Sequence, residues 1–489
     1  MSTQALTERV AGHGDRLAIV DPGGSWTYTT IDRDAAALAS VMVAGRRGDD
    51  DRVAVVCTPG HDFVTALLAC WHAGTIAVPL HPQHPDAELA YVVGDSGARA
   101  IVASAEHRDV VERVAVSSDA AVVDVSAGEQ THRTRPAPER PAVMVYTSGT
   151  TGRPKGAVHT HGSVAAMVDA MLAAWAWSAD DRVILVLPLN HVHGLINVTL
   201  CALAAGACCE APGGFDAVHV WQRFASGEVT LFMAVPTIYA RLGAAWEQAD
   251  DDTRREWSAG AAGLRLMVCG SAALPVSTLE RWREISGQVL LERYGMTELG
   301  MVLSNTLTHR VPGHVGEPMP GMEVRIVDDG GAALPDGEPG ELLVRGPQVF
   351  AGYWQRPEAT AAAFTDGWFR TGDVAVREPQ GYRLLGRSSV DIIKSGGEKV
   401  SALEIEEVYR THPDIADCAV VGIPDDEWGE RVCAAVVPAT GSDPAAEGLR
   451  AWGKERLAAA KVPRQFVFVE ELPRNTLGKV LKPDIATLF

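Results

Sequence analysis

Short apolar runs rich in β-branched residues alternate with helical stretches through the first half of the chain. The runs with the composition of buried strands lie at 53–57, 75–80, 99–103, 142–146, 183–187 and 230–234. The stretches with helical composition lie at 61–73, 86–93 and 163–177. Strands that alternate with helices favour βαβ units around a largely parallel sheet. We therefore predict an α/β fold.

The pattern changes after about residue 315, where short strand-like runs such as 323–327 and 341–345 alternate with Gly/Pro/Asp turns. Such a pattern is typical of antiparallel strands. Beyond Gly386 a last segment of about 100 residues has its own predicted elements, enough for a small domain. These are strands at 417–423 and 431–437 and helices at 402–411 and 445–459. We predict an N-terminal domain of residues 1–387 and a C-terminal domain of residues 388–489.

The charge of the chain limits its partners. Its 489 residues include 43 basic and 62 acidic ones, a formal charge of −19. So acidic a protein binds nucleic acid or an anionic membrane poorly, and an anionic ligand must be bound by local amides, a few cations or a metal ion. The N-terminal sequence lacks a basic-then-apolar signal, and no long uncharged apolar run occurs, so the cytoplasm is the expected location.

The eight cysteines do not form a CxxC pair, and most lie in apolar stretches. They are Cys57, Cys70, Cys201, Cys208, Cys209, Cys269, Cys418 and Cys433. This distribution favours buried free thiols in a reducing compartment over disulfides or a zinc site.

Residues 147–156 read Thr-Ser-Gly-Thr-Thr-Gly-Arg-Pro-Lys-Gly and follow the strand-like run Val-Met-Val-Tyr. Glycines allow close backbone approach to a ligand, and backbone amides and hydroxyls can surround phosphate oxygens. The candidate phosphate ligands are Thr147, Ser148, Gly149, Thr150, Thr151, Gly152 and Lys155. The loop is not a Walker A motif, because its lysine comes three residues after Gly152 and precedes Gly156.

This ten-residue string resembles the signature of the adenylate-forming superfamily, which includes acyl-CoA synthetases, peptide-synthetase adenylation domains and firefly-type luciferases. The resemblance extends over nearly the whole chain. It implies ATP, Mg²⁺ and coenzyme A as ligands. It also implies a large N-terminal domain with βαβ-type sheets and a β-rich subdomain, followed by a small, mobile α+β domain.

The resemblance assigns the rest of the ATP site. The segment Gly270, Ser271 and Ala272 would accept the adenosine, and the string Tyr294, Gly295 and Met296 would place an aromatic ring on adenine. Thr297 would contact the α-phosphate, Glu298 would hold Mg²⁺, Asp373 would accept from the ribose hydroxyls, and Arg387 would reach ribose and phosphate. Elementary chemistry agrees, since an aromatic face suits a purine and a carboxylate suits Mg²⁺.

Residues 188–194, Pro-Leu-Asn-His-Val-His-Gly, resemble the segment that lines the acyl pocket in this superfamily. His191 occupies the superfamily position and His193 supplies a second imidazole. A metal site would need a third ligand, which the sequence does not offer, and ordinary packing is the other alternative.

The last segment carries two lysine-bearing strings, Lys-Ser-Gly-Gly-Glu-Lys at 394–399 and a second that ends in Lys479. By resemblance, Lys479 stabilises charge while a carboxylate attacks the α-phosphorus of ATP, a step that needs no general base. A thiol then attacks the acyl-adenylate after the C-terminal domain rotates. The hinge position is Ser389, where relatives often have Asp or Lys. The expected pantetheine-facing residues are Lys394, Gly396, Gly397 and Lys399.

Arg293 is the residue that most narrows the choice of acid. It would put a guanidinium in an acyl pocket, where a second substrate carboxylate could pair with it. The string Glu-Arg-Tyr-Gly-Met-Thr-Glu at 292–298 resembles malonyl-CoA synthetases, especially their mitochondrial-type branch, which implies malonate and also methylmalonate as acids. Met301 is a candidate wall of the pocket. The alternative is that Arg293 pairs with Glu292, Glu298 or another structural acid.

Three other functions remain open at this stage. The chain could be a ligase for another short acid, or a stand-alone adenylation domain that loads a carrier protein, although it has no carrier-type Gly-x-Asp-Ser-Leu segment. It could also be a non-catalytic nucleotide-binding relative, which the intact ATP-site residues argue against.

Overall fold

The structure is a computed structural model that describes residues 4–45, 51–118, 120–147, 153–396, 398–425, 427–475 and 478–489. Its strands, in chain order, are β1 Leu17–Asp21, β2 Gly24–Thr27, β3 Arg52–Val56, β4 Ile76–Pro79, β5 Ala100–Ala103, β6 Ala121–Asp124, β7 Pro141–Thr147, β8 Lys155–Thr160, β9 Arg182–Ile184, β10 Cys208–Glu210, β11 Leu231–Ala234, β12 Leu266–Cys269, β13 Leu291–Met296, β14 Gly300–Ser304, β15 Glu317–Pro318, β16 Glu323–Val327, β17 Gly340–Arg345, β18 Gly352–Tyr353, β19 Phe364–Thr365, β20 Trp368–Glu378, β21 Gly381–Arg387, β22 Ile392–Ser395, β23 Glu398–Ser401, β24 Ile415–Asp425, β25 Gly429–Pro438 and β26 Gln465–Phe468.

The α-helices are α1 Leu6–Gly12, α2 Tyr28–Gly45, α3 His61–Ala73, α4 Asp86–Ser96, α5 Arg108–Ser118, α6 His161–Ala174, α7 Cys201–Ala205, α8 Ala217–Ala225, α9 Pro236–Gln248, α10 Asp251–Ala262, α11 Val276–Ser286, α12 Pro357–Ala362, α13 Ala402–Arg410, α14 Ala446–Lys454 and α15 Lys482–Ala486. A π-helix spans His193–Leu200, and short 3₁₀ turns span Ala105–His107 and Ala459–Lys461.

The larger sheet has the order β15-β14-β13-β12-β11-β9-β10-β1-β2. Strands β13, β12, β11, β9, β10 and β1 run parallel in that order, as the βαβ alternation predicted. At one edge β13 turns back into β14 to make an antiparallel hairpin. This hairpin follows the carboxyl end of a parallel sheet, which is where open α/β folds bind ligands.

A second sheet has the order β18-β8-β7-β4-β3-β5-β6. Its strands β7, β4, β3, β5 and β6 are parallel, whereas β7 and β8 pair antiparallel with Thr147 opposite Lys155. The predicted phosphate loop therefore connects the two strands of a hairpin. Its residues Ser148, Gly149, Thr150, Thr151 and Gly152 lie outside the described residues, as does Gly397.

A third sheet contains β16, β17, β20 and β19, with β21 paired to β20, and all its pairings are antiparallel. The predicted β-rich region is thus confirmed. The β20–β21 pairing places Asp373 directly opposite Arg387. Two residues that are 14 apart in sequence are therefore neighbours across one strand pair.

The last segment forms a sheet of β23, β22, β25, β24 and β26 that is packed with α13, α14 and α15. Its two apolar cores consist only of residues from Ile393 onward. The fold prediction of an α/β protein with a small C-terminal α+β unit is therefore confirmed. The predicted boundary at 387/388 falls where β21 ends and an exposed turn begins, and it stays a prediction as a domain limit.

Some sequence expectations differ from the structure. The helix predicted over 445–459 ends at Lys454, because Gly453 packs against the Tyr409 hydroxyl and the chain then enters a short 3₁₀ turn. The π-helix and the β13–β14 hairpin were not predicted. All eight cysteines are buried and free, so the prediction of buried thiols is confirmed. Within the described ranges, no helix has both the length and the apolar character needed to cross a bilayer.

Candidate active site

The predicted ribose ligands form one hydrogen-bonded group. Tyr294 Oη donates to Asp373 Oδ2 at 2.5 Å, and Arg387 Nε donates to Asp373 Oδ1 at 3.0 Å. Burial alone would lower the pKa of Arg387, but the neighbouring Asp373 raises it overall. Both oxygens of a nearly buried carboxylate thus face one cleft, with an aromatic ring and a cation beside them.

Glu298 is an electrostatic neighbour of Arg387 and Asp373. Its carboxylate is buried and accepts a hydrogen bond from one side chain. Tyr353 Oη donates to Glu298 Oε1 at 2.7 Å, and burial raises the pKa of Glu298 above its usual value. The described residues contain no group of three or more His, Cys, Asp or Glu side chains placed to hold a metal ion. One hard carboxylate fits Mg²⁺ nevertheless, since that ion is commonly held by one or two carboxylates together with substrate phosphates.

Tyr353 also connects Glu298 to the phosphate loop. The Lys155 ammonium lies 5.2 Å from the centre of the Tyr353 ring, a cation–π distance. The base of the predicted phosphate loop and the candidate metal ligand therefore share one neighbouring ring.

Thr297 is positioned by a histidine that sequence reasoning missed. His159 Nε2 donates to the Thr297 carbonyl oxygen at 2.7 Å. Burial lowers the pKa of His159 to about 4, so the imidazole is neutral and carries one N–H for this bond. This contact joins β8 to the turn between β13 and β14. No sequence motif signals it, because the two residues are 138 apart.

Arg293 is buried, with 4% of its surface exposed, and it stands beside the start of the loop that follows β12. Its Nη2 lies 3.4 Å from Ser271 Oγ, and its Nε has no hydrogen-bond partner among the described residues. Burial lowers the pKa of Arg293 to about 10, which still leaves the guanidinium charged at neutral pH. A Cβ on Gly270 would lie 2.6 Å from that guanidinium, so a larger residue at this position would displace the Arg293 side chain.

The alternative that a structural acid neutralises Arg293 is wrong for the two residues named. Glu292 Oε1 instead accepts the Gly313 amide at 2.8 Å, and Glu298 accepts the hydroxyl of Tyr353. Among the described residues Arg293 has no ion pair with any carboxylate. The guanidinium is therefore a buried cation whose counter-ion is not part of the described chain.

Ser271 connects Arg293 to His193. The Ser271 hydroxyl lies 3.1 Å from His193 Nδ1, while His193 Nε2 has no partner among the described residues. Ser271 also has φ +70°, a left-handed conformation that a non-glycine residue adopts at an energetic cost and that is typical of functional sites. Burial and then the nearby Arg293 lower the pKa of His193 well below its usual value, so it is neutral.

The structure gives the neighbours of four residues that were predicted to lie at the adenosine or in the acyl pocket. Gly270 and Ser271 were predicted at the adenosine, and the structure places them against Arg293, with Ala272 following. His191 is close enough to His193 to help lower the pKa of that ring. Burial, followed by the neighbouring His84 and His81, lowers the pKa of His191 itself to about 4.

Gly295 and Met301 lie opposite each other on the two strands of the β13–β14 hairpin. A Cβ on Gly295 would collide with the Gly300 carbonyl and the Met301 Cε, so the two strands approach closely there. Met301 is buried, with 1% exposed, and Met296 precedes the turn. The strand pairing places Met301 opposite Gly295, and its role as a wall of the acid pocket stays a prediction.

The C-terminal segment that carries Lys479 approaches the N-terminal domain at Thr237. A side chain on Gly478 would collide with the Thr237 hydroxyl at the first turn of α9, just past the carboxyl end of β11. Lys479 itself is exposed, and its backbone amide donates to Asn475 Oδ1 at 2.9 Å. The lysine therefore stands at the rim of the N-terminal domain with its ammonium toward solvent.

A buried ion pair anchors the segment that carries Lys479. Lys482 lies 2.7 Å from Asp391 Oδ1 and 2.8 Å from Glu406 Oε1. Asp391 Oδ2 in turn accepts the Arg387 amide at 3.0 Å. The tail of the C-terminal domain is thus connected to the backbone of the ribose-site arginine.

The remaining predicted residues lie on the C-terminal domain. Ser389 is exposed in the turn after β21, and Lys394 is exposed on β22. Gly396 packs on the Trp428 ring, and Lys399 forms an ion pair with Asp329 at 2.8 Å. Their predicted roles with coenzyme A and the hinge stay predictions.

Fold and site together define an adenylate-forming enzyme. The model of the family described as AMP-binding enzyme matches residues 6–354, and the AMP-binding enzyme C-terminal domain matches residues 404–479. The chain belongs to the AMP-binding enzyme family, which confirms the resemblance that its motifs indicated.

Individual relatives extend the match over the whole chain. A relative from Mus musculus named malonate–CoA ligase ACSF3, mitochondrial, is 42% identical over 98% of this chain and 89% of its own length. The crystal structure of ATP-bound MatB from Rhodopseudomonas palustris superposes with a TM-score of 0.91 at 32% identity, covering 99% of each chain. The apo structure of MatB gives a TM-score of 0.82, covering 99% of this chain and 98% of that one.

Glu292 provides a test of this buried environment. Burial raises its pKa in the folded protein from 4.5 to about 8. The folded state therefore retains a proton that the unfolded chain releases between these values, and the free energy of unfolding falls as pH rises through that window. We expect Glu292→Gln to raise the melting temperature above that of the wild type near pH 9, with the difference vanishing near pH 4. An equal difference at both pH values would contradict the raised pKa.

Proposed function

We propose that the protein is a malonyl-CoA synthetase. In the first half-reaction, one carboxylate of malonate attacks the α-phosphorus of ATP, and pyrophosphate leaves. In the second, the thiol of coenzyme A attacks the carbonyl of malonyl-adenylate, forming the thioester and releasing AMP. The observation that carries the proposal is the buried Arg293 guanidinium, which has no carboxylate partner among the described residues. The name of the malonate–CoA ligase relative from Mus musculus supports the same acid.

The energetics of Arg293 favour a dicarboxylic acid. An ionised group buried without a counter-ion carries a desolvation cost of several kcal/mol, at least about 3. A second substrate carboxylate would accept from the Arg293 guanidinium and offset that cost. A monocarboxylic acid would leave the guanidinium unpaired beside an apolar chain. Methylmalonate has the same two carboxylates, so it is a further candidate.

The reacting carboxylate needs no base, because it is already ionised at neutral pH. Lys479 is the cation that the C-terminal domain presents at the rim beside Thr237, and we propose that it stabilises the charge developing between this carboxylate and the α-phosphate. Thr297, held by His159, would contact the α-phosphate. Glu298 would hold Mg²⁺, and the ion when bound would neutralise the phosphate oxygens.

The nucleoside would be read by the group around Asp373. Its carboxylate would accept from the ribose hydroxyls, with Arg387 remaining beside it as a counter-ion. The Tyr294 ring would pack on adenine, and its hydroxyl already fixes the carboxylate. The phosphate loop, with Thr147 and Lys155 at its two ends, would hold the β- and γ-phosphates.

We propose that the present domain arrangement belongs to the first half-reaction. It has Gly478 packed on Thr237, and its TM-score is higher with ATP-bound MatB than with the apo form of that protein. For the second half-reaction the C-terminal domain would rotate about the exposed turn that contains Ser389. Rotation would withdraw Lys479 and bring the Lys394–Gly396 segment, with Gly397 and Lys399, toward the pantetheine arm.

Two alternatives share the adenylation chemistry. A ligase for another short acid would not need Arg293, and an adenylation domain that loads a carrier protein would differ in the acceptor. The cytoplasm, with no membrane or nucleic acid partner, stays the expected setting. An assay with malonate, methylmalonate and short monocarboxylic acids, using free coenzyme A as acceptor, tests both alternatives.

Replacing Arg293 is expected to affect the use of the acid and not the binding of ATP. Arg293→Met keeps much of the side-chain volume and removes the charge, so we expect kcat/KM for malonate to fall by about 100-fold or more, while the affinity for ATP is unchanged. Arg310→Met is the matched control. Arg310 is a second partly buried arginine, bonded to the Val289 carbonyl and outside the pocket. If both variants retain malonate activity, Arg293 does not bind the substrate.

Lys479 is proposed to act in the first half-reaction only, so replacing it should separate the two half-reactions. We expect Lys479→Ala to lose malonate-dependent pyrophosphate release by about 100-fold or more, because a removed transition-state charge typically costs that much. It should still form malonyl-CoA from supplied malonyl-adenylate. Lys461→Ala, which removes an ion pair with Glu404 on the same domain, is the control and should retain both steps. Equal loss of both steps in Lys479→Ala would contradict the two-orientation account.

A further inference from the structure

The π-helix His193–Leu200 contains a buried side-chain amide, that of Asn197, which has no role in the site described above. Asn197 is completely buried, and both its Oδ1 and its Nδ2 lack a hydrogen-bond partner among the described residues. Thr199, on the same helix, has an internal partner, since its hydroxyl donates to the Gly194 carbonyl at 2.9 Å. The Thr199 hydroxyl is therefore hydrogen-bonded within the helix, whereas the Asn197 amide has no partner among the described residues.

Buried amides without a partner are uncommon, because removing such a group from water costs free energy that only a hydrogen bond returns. π-Helical turns are themselves rare and concentrate at functional sites. Asn197 thus has the properties of a residue whose partner is a ligand.

The helix geometry directs Asn197 toward the Arg293 pocket. Residues four apart lie on nearly the same face of a helix, so Asn197 is one turn along from His193 on that face. The His193 ring points to Ser271, which also contacts Arg293. The face that carries both side chains is therefore the face that borders the pocket.

Three unmatched donors converge on this pocket. The Ser271 hydroxyl can donate to His193 Nδ1, and the neutral ring then carries its proton on Nε2. The His193 Nε2–H, the Arg293 Nε–H and the Asn197 amide are three of the buried polar groups that have no hydrogen-bond partner among the described residues. Each donates hydrogen bonds, and an anion accepts them.

We propose that the Asn197 side-chain amide donates a hydrogen bond to the second carboxylate of the substrate and thereby selects short dicarboxylic acids. The inference rests on the proposed function, because it takes the Arg293 pocket as the binding site of that carboxylate. It adds a specificity-determining residue one helical turn from His193. A longer or monocarboxylic acid would place methylene groups against this amide and leave it unpaired.

The test is Asn197→Leu, which keeps the shape of the side chain and removes its hydrogen bonds. We expect KM for malonate to rise by about 10- to 100-fold, the loss typical of a hydrogen bond to a charged group. KM for ATP should not change. The melting temperature should stay equal or rise, because an unpaired buried amide has been replaced by an apolar group of similar size.

Thr199→Val is the matched control. It removes a buried hydroxyl from the same helix, but one that is bonded within the protein, so the melting temperature should fall while KM for malonate stays unchanged. Asn197→Asp is a second test, since a carboxylate at this position would repel the substrate and raise KM for malonate further than leucine does.

Arg293→Met is measured in parallel to keep this inference separate from the proposed function. If Arg293→Met impairs malonate use and Asn197→Leu leaves KM for malonate unchanged, Asn197 does not contact the acid and the inference is overturned. A fall in melting temperature of Asn197→Leu without a change in KM would overturn it too, because it would assign Asn197 a packing role. If neither variant affects malonate use, the proposed function itself fails.

Discussion

The rest of the pocket depends on one constraint, a buried guanidinium that has no carboxylate partner in the described parts of the chain. Arg293 is nearly inaccessible, and a charge in that position is tolerable only if the site is completed by an anion. Gly270 must lack a side chain to admit the guanidinium, and Ser271 adopts a left-handed conformation beside it. His193 remains neutral next to the cation. These features are consistent with the proposal that the second carboxylate of the substrate pairs with Arg293.

The predicted ATP site must also attract an anion, and there the chain itself supplies the nearby cations. The chain is strongly acidic, with a formal charge of −19, so anionic ATP must be attracted by local groups. Arg387 is fixed by Asp373 across the β20–β21 pair, Lys155 begins β8 at the end of the phosphate loop, and Lys479 arrives from the C-terminal domain. The Lys482–Asp391 ion pair connects that last lysine to the backbone of Arg387. Asp391 therefore contacts both the segment that carries Lys479 and the backbone of Arg387.

The sequence predicted the alternating strands and helices well, because their hydrophobic periodicity is local. It also predicted that Asp373 and Arg387 lie together, and the strand pairing places them opposite each other. The assignment of Glu298 and Arg293 to the same site stays a prediction. It could not predict the contact between Ser271 and His193, because residues 78 apart are brought together only by the packing of the sheet. The unpaired Asn197 amide was equally hidden, since an asparagine in an apolar helix has no sequence pattern of its own.

The most direct test of the account compares malonate with its monomethyl ester, which has the same chain but only one ionised carboxylate. Initial rates of acid-dependent pyrophosphate release give kcat/KM for each acid with the wild-type protein. The account predicts that kcat/KM for the monoester is lower by about 100-fold or more, because Arg293 loses a charged partner. Equal values for the two acids would contradict the claim that Arg293 binds the second carboxylate.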